Sequence, residues 1–281
     1  MWTRRIMTEP AGLGNAPAPR PAAKPSRLLA AIRIGPLLAW TTACGALAVL
    51  ARLVRRLAPG PSRYLRSLAF VSWGKGVLTL MGVRVEVRGK PPQPPFLLVT
   101  NHLSYMDVPL LASLTRCVFV SKHEVKGVPG LGTLARAVDT IFIQRERARD
   151  ALRVLDQMEE ARNAGDGVVF FPESTTSRGD RVAALKPALL DAAVRTGQPI
   201  HYGIISYRTP PDLPPAHEVV CWWGDMTFLP HFMALLGYRG FNAYVTFGAE
   251  TLSADDRKVL AARLRTALDR EFAPVVPREA G

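Results

Sequence analysis

FLLVTNHLSYMD, Phe96–Asp107, sets an apolar run against a polar turn that closes on a carboxylate. Phe96–Thr100 is aromatic, aliphatic and β-branched without polar alternation, the pattern of a strand covered on both faces. Asn101 is a helix-capping residue type, and open α/β sheets present ligand chemistry at the C-terminal ends of their strands. His102 and Asp107 stand five positions apart. On a regular helix such positions diverge by about 140°, so the two cannot share a face mid-helix. They meet if His102 lies in the turn before a helix and Asp107, in the second turn, reaches back. That arrangement fixes the imidazole tautomer, stabilises its protonated form and leaves the other ring nitrogen to take a proton. The same residue types also fit a capping asparagine followed by a surface histidine.

Working outward, β-rich runs at 83–87, 96–100, 117–121, 140–143, 167–171, 200–207, 219–223 and 242–248 alternate with helical patterns. The helical patterns lie near 104–115, 129–137, 146–163, 185–196, 226–237 and 254–271. Over 146–163, Leu152, Leu155 and Glu159 follow helical spacing, and Gly165 supplies a stop. The alternation predicts an α/β domain over 83–275 with a largely parallel sheet flanked by helices.

Two further strand ends carry polar groups. TIFIQRE places Arg145 just past a strand, where its fork of donors suits a phosphate or carboxylate. VVFFPESTTSRGD runs a buried strand into Pro172 and then presents Glu173, Ser174 and Thr175. Each is unremarkable alone; three polar strand ends in succession point to one shared edge of the sheet.

The chain has 281 residues, 48% hydrophobic and 21% charged, so its apolar weight is concentrated somewhere. Residues 1–26, rich in Pro, Ala and Gly, read as a disordered tail. Ile34–Ala51 is eighteen residues without a charge, at ~1.5 Å rise each barely a match for a hydrocarbon core of about 30 Å. Leu68–Met81 is a shorter apolar stretch containing Lys75, and arginines flank the first stretch on both sides. A single span would carry one basic flank across the bilayer, against the positive-inside tendency. A membrane-embedded helical hairpin within 27–82, dipping into one leaflet, keeps all these charges on one side. The segment 226–241, with His231 and Arg239, reads as an interfacial surface or a core helix.

Net charge is +13 with pI near 10.3, which favours anionic partners: acidic headgroups, phosphorylated ligands or an acidic carrier protein. Nucleic acid is disfavoured, because the charges cluster beside the apolar segments rather than among exposed aromatics. Three cysteines without a CxxC and five histidines without HExxH argue against a disulfide framework or a metal site.

Four segments together resemble the motifs of the glycerolipid acyltransferases typified by 1-acylglycerol-3-phosphate acyltransferase. NHLSYMD fits N-H-x-x-x-x-D, FIQRE and FFPEST are similar to the second and third motifs, and GQPIHYGI is similar to the fourth. The resemblance runs from about residue 80 to 250. It implies that His102 acts as general base on an acceptor hydroxyl and that Asp107 orients it. It implies direct attack on the thioester of acyl-CoA or acyl carrier protein, with no acyl-enzyme and no cofactor beyond that co-substrate. Arg145, Glu173, Ser174 and Thr175 would bind the acceptor. The expected acceptor is 1-acyl-sn-glycerol-3-phosphate, giving phosphatidic acid, with lyso-ornithine lipid as the alternative and a non-enzymatic membrane-anchored adaptor as a remote one. The expected place is the cytoplasmic face of a bacterial inner membrane. Ser174 replaces the glycine usual in the third motif, and Thr176 stands where an arginine is common, with Arg178 two residues on. A serine hydrolase built on Ser174 or Ser206 would need G-x-S-x-G, which the chain lacks.

Overall fold

The computed structural model describes residues 23–128, 131–144 and 148–276. Arg145, and nearly all of the tail expected at 1–26, lie outside them. Ala23, within that range, donates its N–H to the Asp212 carbonyl at 2.9 Å.

A seven-stranded sheet has the order β1-β7-β6-β2-β5-β3-β4. The strands are β1 (Arg84–Arg88), β2 (Phe96–Thr100), β3 (Cys117–Lys122), β4 (Ile141–Ile143), β5 (Gly167–Phe170), β6 (His201–Arg208) and β7 (Asn242–Phe247). The pairs β6–β2, β2–β5, β5–β3 and β3–β4 are parallel, β7 runs antiparallel to β6, and β1 is parallel to β7. Central strands β2 and β5 are buried along their whole length, which is why their sequences carry no polar alternation.

Successive residues of β2 serve opposite faces. Phe96 and Leu98 join a core with α2 (Pro59–Leu80), α3 (Asp107–Leu114) and α8 (Phe228–Gly237). Leu97 and Val99 join a second core with α5 (Ala148–Asn163), α6 (Asp191–Thr196) and α9 (Arg257–Glu271). The sheet is thus a middle layer between two helical layers. A short α4 (Leu131–Ala137) precedes β4.

Before the sheet, α1 (Arg27–Leu53) and α2 form a helical hairpin. Ser26 caps α1 by accepting the Leu29 N–H. Helix α2 does not stand apart from the α/β body. At Gly74 a Cβ would lie 2.5 Å from the Pro109 carbonyl oxygen and 2.8 Å from the Ser113 nitrogen of α3. The glycine is what permits the two backbones to touch. Among the described residues, Arg27–Arg56 is long and apolar enough to cross a membrane.

Three sequence expectations change. Residues 219–223 are not a strand: α7 (Ala216–Val219) starts behind Pro215, and Val220 and Cys221 both return their N–H groups to the Ala216 carbonyl. Val219, Val220 and Cys221 are buried and the two tryptophans half-buried, and a short buried run looks alike in either conformation. The helix expected at 185–196 divides into a 3-10 turn, Pro187–Leu190, and α6. On α5 the buried face is Val154, Leu155 and Met158, while Leu152 is exposed.

Candidate active site

The site forms where β2, β5 and β6 end side by side. Asn101 does not cap α3. Its side chain accepts the Ile205 N–H at 2.7 Å and donates to the Ile205 carbonyl at 2.9 Å, so it extends the ladder between β2 and β6. Residues 101–106 make a turn, and Asp107 is the first residue of α3 rather than a residue of its second turn. From there its Oδ2 accepts the main-chain N–H groups of Leu103 at 2.7 Å and Ser104 at 3.0 Å. The carboxylate itself therefore closes the turn.

That same oxygen lies 2.7 Å from Nδ1 of His102. Asp107 has no exposure, whereas the His102 side chain keeps 18%. One face of the imidazole stacks on Phe171, with centroids 3.8 Å apart and planes 11° from parallel. A buried acceptor on Nδ1 makes that nitrogen the donor and leaves Nε2 as the ring's acceptor. An imidazole so held can take a proton at Nε2 and stabilise the resulting cation against the carboxylate.

Glu173 follows β5 and is 3% exposed. Its Oε1 accepts the His102 main-chain N–H at 3.1 Å, and its Oε2 accepts the Ala183 N–H at 3.1 Å. Burial pushes its carboxyl up to about 7; the two N–H groups oppose that shift and the nearby Asp107 adds to it. Both oxygens thus face main chain, and Glu173 ties the post-β5 loop to the dyad turn. Ser177 completes the tie by donating its N–H to the His102 carbonyl at 3.0 Å. Ser174 sits at φ 67°, the left-handed conformation a glycine would hold without strain. Thr175 is exposed, and Arg178 lies over the Trp223 ring at 5.5 Å.

Two features escaped the sequence reading. Tyr207 on β6 donates its hydroxyl to Oδ1 of Asp107 at 2.5 Å. The signal available was position: a tyrosine near the C-terminal end of a strand, on the same edge as the dyad. An aromatic wall was also missed. Tyr105, in the dyad turn, packs against Trp222, Phe228 and Phe232, and its hydroxyl lies 2.9 Å from Nδ1 of His231. Trp222 anchors this wall by donating its main-chain N–H to the Leu103 carbonyl at 2.9 Å and its indole N–H to the Met226 carbonyl at 2.7 Å.

A mostly parallel sheet thus presents, at its strand ends, a histidine–carboxylate pair able to draw a proton from a bound hydroxyl. The acyltransferase family model matches residues 83–206, the segment that contains β2, β5 and the dyad. The lyso-ornithine lipid O-acyltransferase of Rhodobacter capsulatus is 31% identical over 273 residues, 93% of this chain and 97% of that one. The chain belongs to the acyltransferase family. The 1-acyl-sn-glycerol-3-phosphate acyltransferase of Neisseria gonorrhoeae is 32% identical over 134 residues, 47% of this chain and 52% of that one. In fold, the chain is similar to the crystal structure of the 1-acyl-sn-glycerophosphate acyltransferase PlsC from Thermotoga maritima. The TM-score is 0.65 and the identity 18%, over 87% of this chain and 94% of that one.

Proposed function

We propose that this acyltransferase moves a fatty acyl group from a thioester, acyl-CoA or acyl carrier protein, to the hydroxyl of a lysolipid, with His102 as general base. The observation that carries the reading is the 2.7 Å contact between the partly exposed His102 and the fully buried Asp107. Nε2 of His102 takes the hydroxyl proton as the alcohol oxygen attacks the thioester carbonyl carbon. A tetrahedral oxyanion forms, the C–S bond breaks, and the thiolate leaves with the proton that His102 holds. A thioester is already activated, so the protein need only position the alcohol, accept its proton and stabilise charge.

Lyso-ornithine lipid is the favoured acceptor. Support comes from the relative aligned over nearly all of both chains, and from the altered third motif at Ser174 and Thr176. The second reading, 1-acyl-sn-glycerol-3-phosphate, is favoured by the motif set and by the neisserial relative. Arg145 and Thr175 are proposed headgroup contacts. The basic flanks of α1 and its exposed leucines support a proposed seat at an anionic leaflet, on the cytoplasmic side.

The test is thiol release and lipid product formation by the purified protein in vesicles, with each donor and both lysolipids. His102→Ala and Asp107→Asn, shown folded by circular dichroism, should each lose roughly 10²–10⁴-fold in rate, the usual span for a positioned base. Either variant at the parent rate removes the assignment of the base. The lysolipid that is turned over decides between the acceptors.

A further inference from the structure

Asp107 has two carboxylate oxygens, and the proton transfer just described uses one. Oδ2 serves His102 and the two main-chain N–H groups of its turn. Oδ1 is held by the Tyr207 hydroxyl at 2.5 Å. Both side chains are sealed: Asp107 has no exposure and Tyr207 has 1%. A carboxylate oxygen buried this completely is costly without a donor, and donors to a charged acceptor are the strong ones. The Tyr207 ring is itself fixed edge-on against Phe241, with centroids 5.6 Å apart and planes at 82°. The hydroxyl is therefore aimed by packing rather than by chance.

We propose that Tyr207 is a positioning residue of the dyad: its phenol holds Oδ1 and shares the charge of Asp107, which turns Oδ2 onto His102 and sets how strongly the imidazole keeps its proton. This rests on the acyl-transfer reading above. The residue lies outside the four segments that carry the family resemblance, and its role follows from β6 ending beside β2. Burial, and then the Asp107 charge, drive the phenol well above its ordinary range, so Tyr207 stays a neutral donor.

Removing the phenol concentrates negative charge on the carboxylate. That favours the imidazolium, so His102 keeps its proton to higher pH. The acid limb of kcat/KM, where a protonated base cannot accept, then moves to higher pH. The other groups facing the pair are Glu173 behind the His102 turn, Cys221 after α7 and Tyr105 in the turn itself. Burial keeps Cys221 and Tyr105 neutral. Glu173 titrates near neutrality but is common to parent and variant, so the difference between their profiles reports on Tyr207.

The experiment is a pH profile of thioester-dependent acyl transfer for the full chain in vesicles. Tyr207→Phe keeps the ring on Phe241. It should lower kcat roughly tenfold to a hundredfold, leave both KM values within about twofold, and move the acid limb to higher pH. Site-specific Tyr207→3-fluorotyrosine, nearly the same size but a stronger donor, should move the limb to lower pH and still reports if the phenylalanine variant does not fold. Phe241→Leu keeps the hydroxyl but loosens the ring that aims it, so the limb should move in the same direction as in Tyr207→Phe and by less. An unshifted limb in both Tyr207 variants overturns the proposal. If that result comes with an inactive His102→Ala, the dyad reading survives; a fully active His102→Ala removes the dyad reading itself.

Discussion

The two helices of the N-terminal hairpin share an apolar character and use it oppositely. Helix α2 spends it inward. Phe70, Val77 and Leu78 are buried in the core that also holds α3, and Gly74 brings its backbone against that helix. Helix α1 buries a narrow stripe, Ala30, Leu37, Cys44, Ala48 and Ala51, spaced mostly seven, four and three apart along one face. Its other side leaves Leu28, Ile32, Leu38, Leu50 and Leu53 exposed, between 53% and 73%. Apolar length alone therefore does not distinguish a helix with an exposed apolar face from one that braces the site. What separates them is the residue opposite: α2 meets α3, and Asp107 is the first residue of α3.

The contrast makes its strongest claim at Gly74. Gly74→Leu forces a side chain into main-chain atoms of α3 that a Cβ would already approach to 2.5 Å. Overpacking of this kind costs typically about 1–3 kcal/mol, and the strain falls on the helix that positions Asp107. We expect a lower midpoint in thermal unfolding and at least a tenfold loss of acyl transfer, with vesicle binding kept because the outer face of α1 is untouched. A variant with parent activity and stability would mean that α2 does not brace the site.

The outer face gives the reverse pattern. Leu50 and Leu53 are 53% and 73% exposed and touch little of the protein. Fully burying a leucine is worth about 1.5–3 kcal/mol, so Leu50→Ser with Leu53→Ser should weaken flotation with anionic vesicles by roughly tenfold or more. Thermal unfolding in detergent should not change. Unaltered flotation would move membrane contact elsewhere, with the exposed Phe228 and Leu229 of α8 the next surface to test.

The sequence foretold the sheet better than it foretold the site's supports, for a physical reason. Strand β2 declares itself locally, since both its faces are buried and every residue but the last is apolar. The dyad was legible because two residues of definite chemistry stand five apart beside a strand end, although the turn geometry was not: Asp107 closes the turn from the first helical position. Tyr207 is 100 positions from the carboxylate it holds, and only the neighbouring of β6 and β2 brings them together. The family resemblance implies that Glu173 meets the acceptor; within the fold its oxygens hold main-chain N–H groups, a role that no side-chain pattern announces. The run at 219–223 misled for a related reason, because burial imposes the same apolar composition on a strand and on a turn.

The finest test of inner against outer lies on one carboxylate. Asp139 accepts from Arg66 of α2 at 2.9 Å, from Arg52 of α1 at 2.9 Å and from Arg55 at 3.3 Å. Arg66 is 7% exposed in its side chain and also reaches the buried Asp166 at 2.5 Å, so it neutralises two carboxylates from inside the fold. Arg55 is 57% exposed, and its partner keeps two other cations when it is removed. Exposed pairs contribute about 0–1 kcal/mol and weaken with salt, so Arg55→Ala should change the unfolding free energy by no more than about 0.5 kcal/mol, less still at high ionic strength. Denaturant unfolding of parent and variant at low and high salt measures this. A salt-sensitive loss above about 2 kcal/mol would show surface charge clamping α1 to the body, and the division drawn here between a braced α2 and an outward-facing α1 would have to be redrawn.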